Sequence, residues 1–428
     1  MSPQPAGSAV PPDTAAGAQL RWLIAAAAHL PLSDAQVRAH FDPAFLAQVS
    51  PAALNETLQQ EAVGIRLLSV RVSELSTLVA DVSSYGGNSR AEVLLTVDSR
   101  GLVSWLRISP ASIEPTPASW ADVDTTLRSV APQVHLLAAD VSNGSCQPIH
   151  SIAPGTPAPL GSAVKLYVLD ALGNAVAARK VRWDQPLTVT AQLKGLPPGE
   201  LQIEPDGTQI SVLDSAAKMI SLSDNTAADM LTGLVGRSGV EAALTATGMT
   251  SPALDRPFLT TREIFVLKLE QWPTLAQRYV TADEPSRRAL LASTVDRAPL
   301  PAVEETGAWT TPRDIDRLEY FASASDLCRA YTSLAALARQ PGMAPIGQVL
   351  SLNDDGLQLD PAQWETTWFK GGSEPGVLTL AFLATTRSGH SYVVTVLAEN
   401  KSQPIDQATA IPTILSAVKG AFTLAARS

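Results

Sequence analysis

The stretch GSAVKLYVLDAL, from Gly161 to Leu172, decides how the rest of the chain is read. It follows Pro159-Leu160 and opens an apolar helical segment with Ser162 and Lys165 in its first turn. Residues three apart share a helix face, so the Lys165 amine falls within reach of the Ser162 hydroxyl. A serine hydroxyl is a poor nucleophile until a neighbouring base removes its proton, and this spacing supplies one. Burial and a nearby cation such as Lys370 would lower the affinity of Lys165 for its proton enough to make it that base. A helix N-terminus at Ser162 also aims a backbone N–H at an oxyanion forming beside it. S-x-x-K is short, however, and acquires meaning only from what accompanies it.

Two further motifs follow in order. Ser223-Asp224-Asn225 stands before a helical segment at 226–235, and Lys370-Gly371-Gly372-Ser373 stands directly before an apolar strand at 377–383. Ser223 is placed to relay a proton between Lys165 or Lys370 and a leaving group. Asn225 would hold Lys165 and a substrate amide. Lys370 and the Ser373 hydroxyl would bind a substrate carboxylate, and the Ser373 N–H would be the second oxyanion donor. Ser162, Lys165, Ser223 and Lys370 are thus the expected catalytic set, and Asn225, Gly372 and Ser373 the substrate-binding set. Taken alone, Asp224-Asn225 also fits a simple helix cap.

Serine in S-x-x-K, S-D-N and a K-x-G triplet before a strand, in this order, resemble the class A β-lactamase and penicillin-binding serine hydrolase superfamily. The wider text, "KMISLSDNTAADML" around Ser223, "RPFLTTREIFVLK" and "FASASDLCR", is similar to one subgroup. That subgroup comprises β-lactamase-like proteins encoded with clavulanic acid biosynthesis, which carry an N-terminal ketosteroid-isomerase-like domain. The resemblance implies an α/β (α+β) β-lactamase/transpeptidase-like three-layer domain behind a small cone-shaped α+β domain. It implies a serine hydrolase acting through a Ser162 acyl-enzyme on a β-lactam-like or other carboxylate-bearing ester or amide. A true β-lactamase and a non-catalytic binding protein are the alternatives. Two departures stand out. Gly371 replaces the Thr of K-T-G, and no E-x-x-L-N supplies a deacylating glutamate between Asn225 and Trp309. Glu263 is the nearest possible general base, and its position fits a structural helix residue equally well.

Composition narrows the field from the other side. The 428 residues carry 31 Lys+Arg against 41 Asp+Glu, a net charge of −10 that repels phosphate backbones, so nucleic acid is not an expected partner. Five histidines, none in a metal-binding spacing, and two cysteines leave no support for a metal or cofactor. The expected partner is a small-molecule substrate. No stretch is long and apolar enough to suggest a membrane span, and residues 1–20 lack the basic start of a signal peptide. The chain as written reads as cytoplasmic, or as extracytoplasmic if an export signal has been removed. Cys328 reads as core packing and Cys146 as a loop thiol.

The expected order of parts is a disordered tail (1–17), an isomerase-like accessory domain (18–117), a connecting helix (118–130) and the hydrolase domain (131–428). The accessory domain reads as helices followed by a meander of strands, with hairpin turns at Tyr85-Gly86-Gly87-Asn88 and at Asp98-Ser99-Arg100-Gly101. Chemistry inside it would need a buried ionisable group, for which His40, Asp42, Glu56, Glu74, Asp81 and Glu92 are the candidates. Strand alternation puts Glu92 on the polar face, and the domain is expected to be packing rather than catalytic. From 378 to the end, two apolar strands and a closing helix should join a strand at 134–141 in one sheet.

Overall fold

The structure, a computed structural model, describes residues 10–73, 77–84, 89–98, 100–110 and 115–427. The chain forms two units, one within Met1–Glu114 and including Asp355–Gln358, the other made of Pro115–Asp354 and Leu359–Ser428.

In the first unit, helices α1 (Ala15–Ala26), α2 (Asp34–His40), α3 (Pro43–Gln48) and α4 (Pro51–Glu61) precede four strands: β1 (Arg66–Ser73), β2 (Thr77–Ser84), β3 (Ser89–Val97) and β4 (Val103–Pro110). The strands form an antiparallel meander in sequence order. Ser33 starts α2 through a capping box with Gln36, which satisfies two otherwise unpaired backbone donors. Helix α1 begins inside the expected tail, because Ala16 and Gly17 are buried and Thr14 caps the helix. The expected Tyr85–Asn88 turn, Ser99 and Glu74 lie outside the described residues.

Glu92 corrects the reading of this unit, being 1% exposed. Ala91, Val93 and Leu95 face one core as alternation requires, but Leu94 and Thr96 on the other face are buried as well. On that second face Arg107 of β4 pairs with Asp355, 3.0 Å away, and approaches Glu92 at 3.7 Å. Alternation assigns residues to faces correctly; that the second face is covered is a tertiary fact. Among the other candidates, Asp42 caps α3 and pairs with Arg100, while His40 stacks on Trp22.

The second unit begins with α5 (Trp120–Arg128), β5 (Gln133–Asp140), β6 (Gln147–Ile152), β7 (Ala158–Pro159) and α6 (Lys165–Ala177). A small pair, β8 (Pro186–Thr188) and β9 (Gln209–Ser211), leads to α7 (Val212–Ser221), α8 (Asn225–Val235), α9 (Arg237–Ala246) and α10 (Thr261–Leu269). There follow α11 (Thr274–Val280), α12 (Glu284–Ser293), α13 (Val303–Ala308), β10 (Phe321–Ala322), α14 (Ala324–Ala338) and α15 (Pro345–Leu350). The unit closes with β11 (Trp364–Glu374), β12 (Val377–Thr386), β13 (Ser391–Glu399) and α16 (Gln407–Ala425).

The main sheet runs β11-β12-β13-β5-β6, so a strand from the start of the unit pairs with one near its end, Leu136 opposite Val396. Both faces are covered, which is why β12 and β13 read as continuous apolar runs rather than alternating ones. On one face Leu137, Ala381, Leu383 and Val393 share a core with α6 and α14. The other carries α16, whose Phe422 meets Trp364 edge-on, and α5 packs on α16 through buried Val123 and Leu127. The helix at 120–128 is therefore part of this layer and not only a connector.

The cysteines are joined. Cys146, before β6, and Cys328, in α14, form a disulfide with Cα atoms 6.3 Å apart across 182 residues of sequence. Cys328 is buried in the core as expected, but as half of a disulfide, and Cys146 is not a free loop thiol; nothing local to either position announced the partner.

Candidate active site

Ser162 sits in a single 3-10 turn, Gly161–Val164, that feeds directly into α6. The turn is wedged against β11. A Cβ on Gly372 would lie 2.1 Å from the Leu160 carbonyl oxygen and 2.5 Å from the Ser162 nitrogen. Gly161, at φ +52°, brings its α-carbon so close that an added Cβ would meet the Ser373 nitrogen at 2.8 Å. Two glycines without side chains thus let the turn carrying Ser162 and the strand carrying Ser373 approach closely, as an oxyanion site shared between their N–H groups would require. Gly372 acts here through close packing.

Lys165, 1% exposed, reaches back to Ser162 Oγ at 3.1 Å. Its Nζ also meets Asn225 Oδ1 at 2.7 Å, the Ser223 carbonyl at 2.5 Å and Ser223 Oγ at 3.2 Å. Every contact is to a neutral oxygen. Burial pushes Lys165 down to about 7, against the opposing pull of Asp224 and Asp229. The cause is desolvation rather than repulsion by Lys370. Lys370 Nζ lies 3.0 Å from Ser223 Oγ on the opposite side, so Ser223 bridges the two lysines. Ser223 itself adopts φ 58°, which turns its side chain and carbonyl into the site ahead of α8.

Both readings of Asp224-Asn225 apply, to different residues. Asp224 is the N-cap of α8, accepting from the Ala227 N–H, and its other oxygen receives the N–H groups of Glu200 and Leu201. Asn225 holds Lys165 through its oxygen, and its amide nitrogen donates to the Leu196 carbonyl at 2.8 Å. At Gly371 an added Cβ would meet Phe369 Cζ at 2.8 Å. A threonine in its place would have to displace that ring.

Glu263, the expected possible general base, is committed to structural partners instead. Its carboxylate takes the Arg237 guanidinium at 2.6 and 3.1 Å and the Thr260 N–H at 2.6 Å, closing the capping box of α10. It is fully engaged and does not line the cavity above Ser162. The N-cap threonine with glutamate three residues later was the available signal for this structural role.

That cavity measures about 210 Å³. Ser162, Asn225 and Ser373 line its polar side, and Pro197, Ile264, Phe265, Trp309 and Tyr320 its apolar side. Two acids missed by sequence reasoning, Glu319 and Glu374, also face it. Lys268, fully buried, contacts Glu374 at 2.5 and 2.6 Å and Glu319 at 3.2 Å, and lies 5.2 Å from the centre of the Trp309 ring. Burial and the neighbouring Glu319 push Glu374 well above the ordinary carboxyl range. The three residues are spread over 106 positions of sequence, and no short motif contains them. Among the described residues no group of acids, histidines and cysteines is arranged to hold a metal ion.

Comparison with known proteins bears on the fold. Residues 120–318 match the Beta-lactamase enzyme family, and residues 11–103 match the family described as ORF 12 gene product N-terminal. The second unit has the β-lactamase/transpeptidase-like fold. A mutant of the class A β-lactamase of the last common ancestor of Gram-negative bacteria is 16% identical, with a TM-score of 0.50 over 72% of this chain and 98% of that one. The β-lactamase from Sphaerobacter thermophilus is 17% identical, with a TM-score of 0.49 over 72% and 97% of the two chains. At these identities the likeness is one of fold. No curated protein sequence matches the chain.

Proposed function

We propose that the chain is a serine hydrolase that forms an acyl-enzyme on Ser162 with a small carboxylate-bearing ester or amide, β-lactams among them. One observation carries this reading: a lysine buried among neutral oxygens, shifted to about 7 and 3.1 Å from the hydroxyl it would deprotonate. Near neutral pH a large share of Lys165 is unprotonated, as a general base must be. Lys165 takes the Ser162 proton while Oγ attacks the substrate carbonyl carbon. The oxyanion settles between the Ser162 and Ser373 N–H groups. The proton then passes by way of Ser223 Oγ to the departing oxygen or nitrogen, with Lys370 and the Ser373 hydroxyl left to bind the substrate carboxylate.

Intact-mass spectrometry after incubation with a penicillin, a cephalosporin or an activated ester tests this. One adduct per chain is expected, lost in Ser162→Ala; an adduct that persists in that variant overturns the assignment. Saturating ring opening of nitrocefin, compared with p-nitrophenyl ester cleavage, distinguishes a true β-lactamase from an esterase. The N-terminal unit serves in this reading as an accessory. Its buried Glu92 lies near Arg107, and Arg107 is itself paired with Asp355. The Cys146–Cys328 disulfide supports an oxidising, extracytoplasmic location.

A further inference from the structure

An acyl-enzyme turns over only if something activates water against it, and Glu263 is otherwise occupied. Two carboxyl groups share the Ser162 cavity, and the backbone ties both to the nucleophile. Glu374 directly follows Ser373 on β11, whose N–H is the second oxyanion donor. Glu319 precedes Tyr320, and the Tyr320 carbonyl accepts the N–H of Leu160, two residues before Ser162. Lys268 grips both acids from beneath, and the Tyr320 N–H holds Glu319 Oε1 at 2.9 Å.

We infer that the Glu319–Glu374 carboxyl pair, oriented by Lys268, is the general base that activates water to hydrolyse the Ser162 acyl-enzyme. This rests on the proposed acylation of Ser162. Two buried carboxylates beside a single lysine leave one negative charge in excess, and sharing one proton relieves their repulsion. Burial first, and the neighbouring Glu319 second, hold Glu374 well above the ordinary range. Each carboxyl oxygen, though it already accepts from Lys268 or the Tyr320 N–H, keeps a second lone pair as an acceptor toward the cavity. Water in the cavity gives a proton to that acceptor as its oxygen bonds to the acyl carbon. The resulting oxyanion rests on the Ser162 and Ser373 N–H groups. Collapse breaks the bond from carbon to Ser162 Oγ, which takes up one proton from solvent by way of Lys165. The pair returns to solvent the proton it received, so the enzyme ends in its starting protonation state. The acid product leaves with the second water proton, and one water is consumed.

Pre-steady-state cleavage of a p-nitrophenyl ester separates the two steps, since the burst reports acylation and the later rate reports deacylation. Glu319→Gln and Glu374→Gln keep shape and remove the acceptor. A burst of about one equivalent is expected in both, with deacylation slowed in at least one by roughly 10²–10⁴-fold and the Ser162 adduct accumulating. Wild-type deacylation in both variants overturns the assignment. If the wild-type protein gives neither burst nor adduct, the Ser162 reading itself fails and this one falls with it. Should either variant not fold, decay of the isolated wild-type adduct decides. The charged and titratable groups facing the pair are Lys268, Asp255, Tyr320 and, through the Lys268 carbonyl, Arg313. Decay should slow about tenfold per pH unit once a second proton occupies the pair, and decay that stays flat into the acid range overturns the assignment.

Discussion

Two fully buried lysines stand near one cavity and have opposite surroundings. Lys165 is held by hydroxyl, amide and carbonyl oxygens, none of them charged, whereas Lys268 is clasped by two acidic side chains. Burial penalises any charge, and an opposing charge in direct contact offsets far more of the penalty than neutral partners or more distant charges do. The difference teaches how one fold obtains a base and an anchor from the same side chain. Neutral partners orient Lys165 without holding its proton, and acidic partners make Lys268 an ion-pair centre that fixes Glu319 and Glu374.

The comparison breaks most directly at Lys165. Lys165→Met should lower the rate of adduct formation by about 10²–10⁴-fold, measured by the burst of an activated ester. In the wild-type protein the same rate should climb about tenfold per pH unit below pH 7 and level off above it, because the neutral amine is the reactive form. The sign for stability follows from the same shift. The folded-state value lies below the ordinary 10.5, so between about 7 and 10.5 the unfolded chain binds more protons. The contribution of this group to stability therefore rises with pH across that window and is lost as pH falls through 7. A burst rate independent of pH between 5.5 and 8 would remove Lys165 from the role of base.

Lys268→Met sharpens the other half. Removing the cation strands two buried carboxyls, and a loss of about 3–5 kcal/mol in urea unfolding is expected at neutral pH. The loss should shrink in acid, as Glu374, held well above the ordinary carboxyl range by burial, takes up a proton. If Lys165→Met proved the more destabilising of the two, the contrast between base and anchor would not hold.

The smallest effect is expected away from the cavity. Joint replacement of Cys146 and Cys328 by serine should cost about 2–4 kcal/mol, read as a lowered denaturation midpoint under non-reducing conditions. The burst amplitude should stay near one equivalent, because neither residue lines the cavity. Unchanged stability would show that the crosslink contributes little to holding α14 to the loop before β6.

What could be read from the sequence was chemistry carried by short spacings. Ser162 and Lys165 lie one turn apart, Ser223 to Asn225 are adjacent, and Lys370 to Ser373 run along one strand end. Each motif is confined to a few residues, so local geometry alone orients its side chains. The apolar runs of β12 and β13 and the closing helix were legible for the same reason. Tertiary structure alone decided the rest. It covered the second face of β3 and so buried Glu92. It gave Glu263 to Arg237, 26 residues away, and joined Cys146 to Cys328. It also gathered Lys268, Glu319 and Glu374 from an α-helix, a loop and a strand. Periodicity records which face a residue occupies; the partner that later covers that face, and the charge it brings, are set only when distant segments pack.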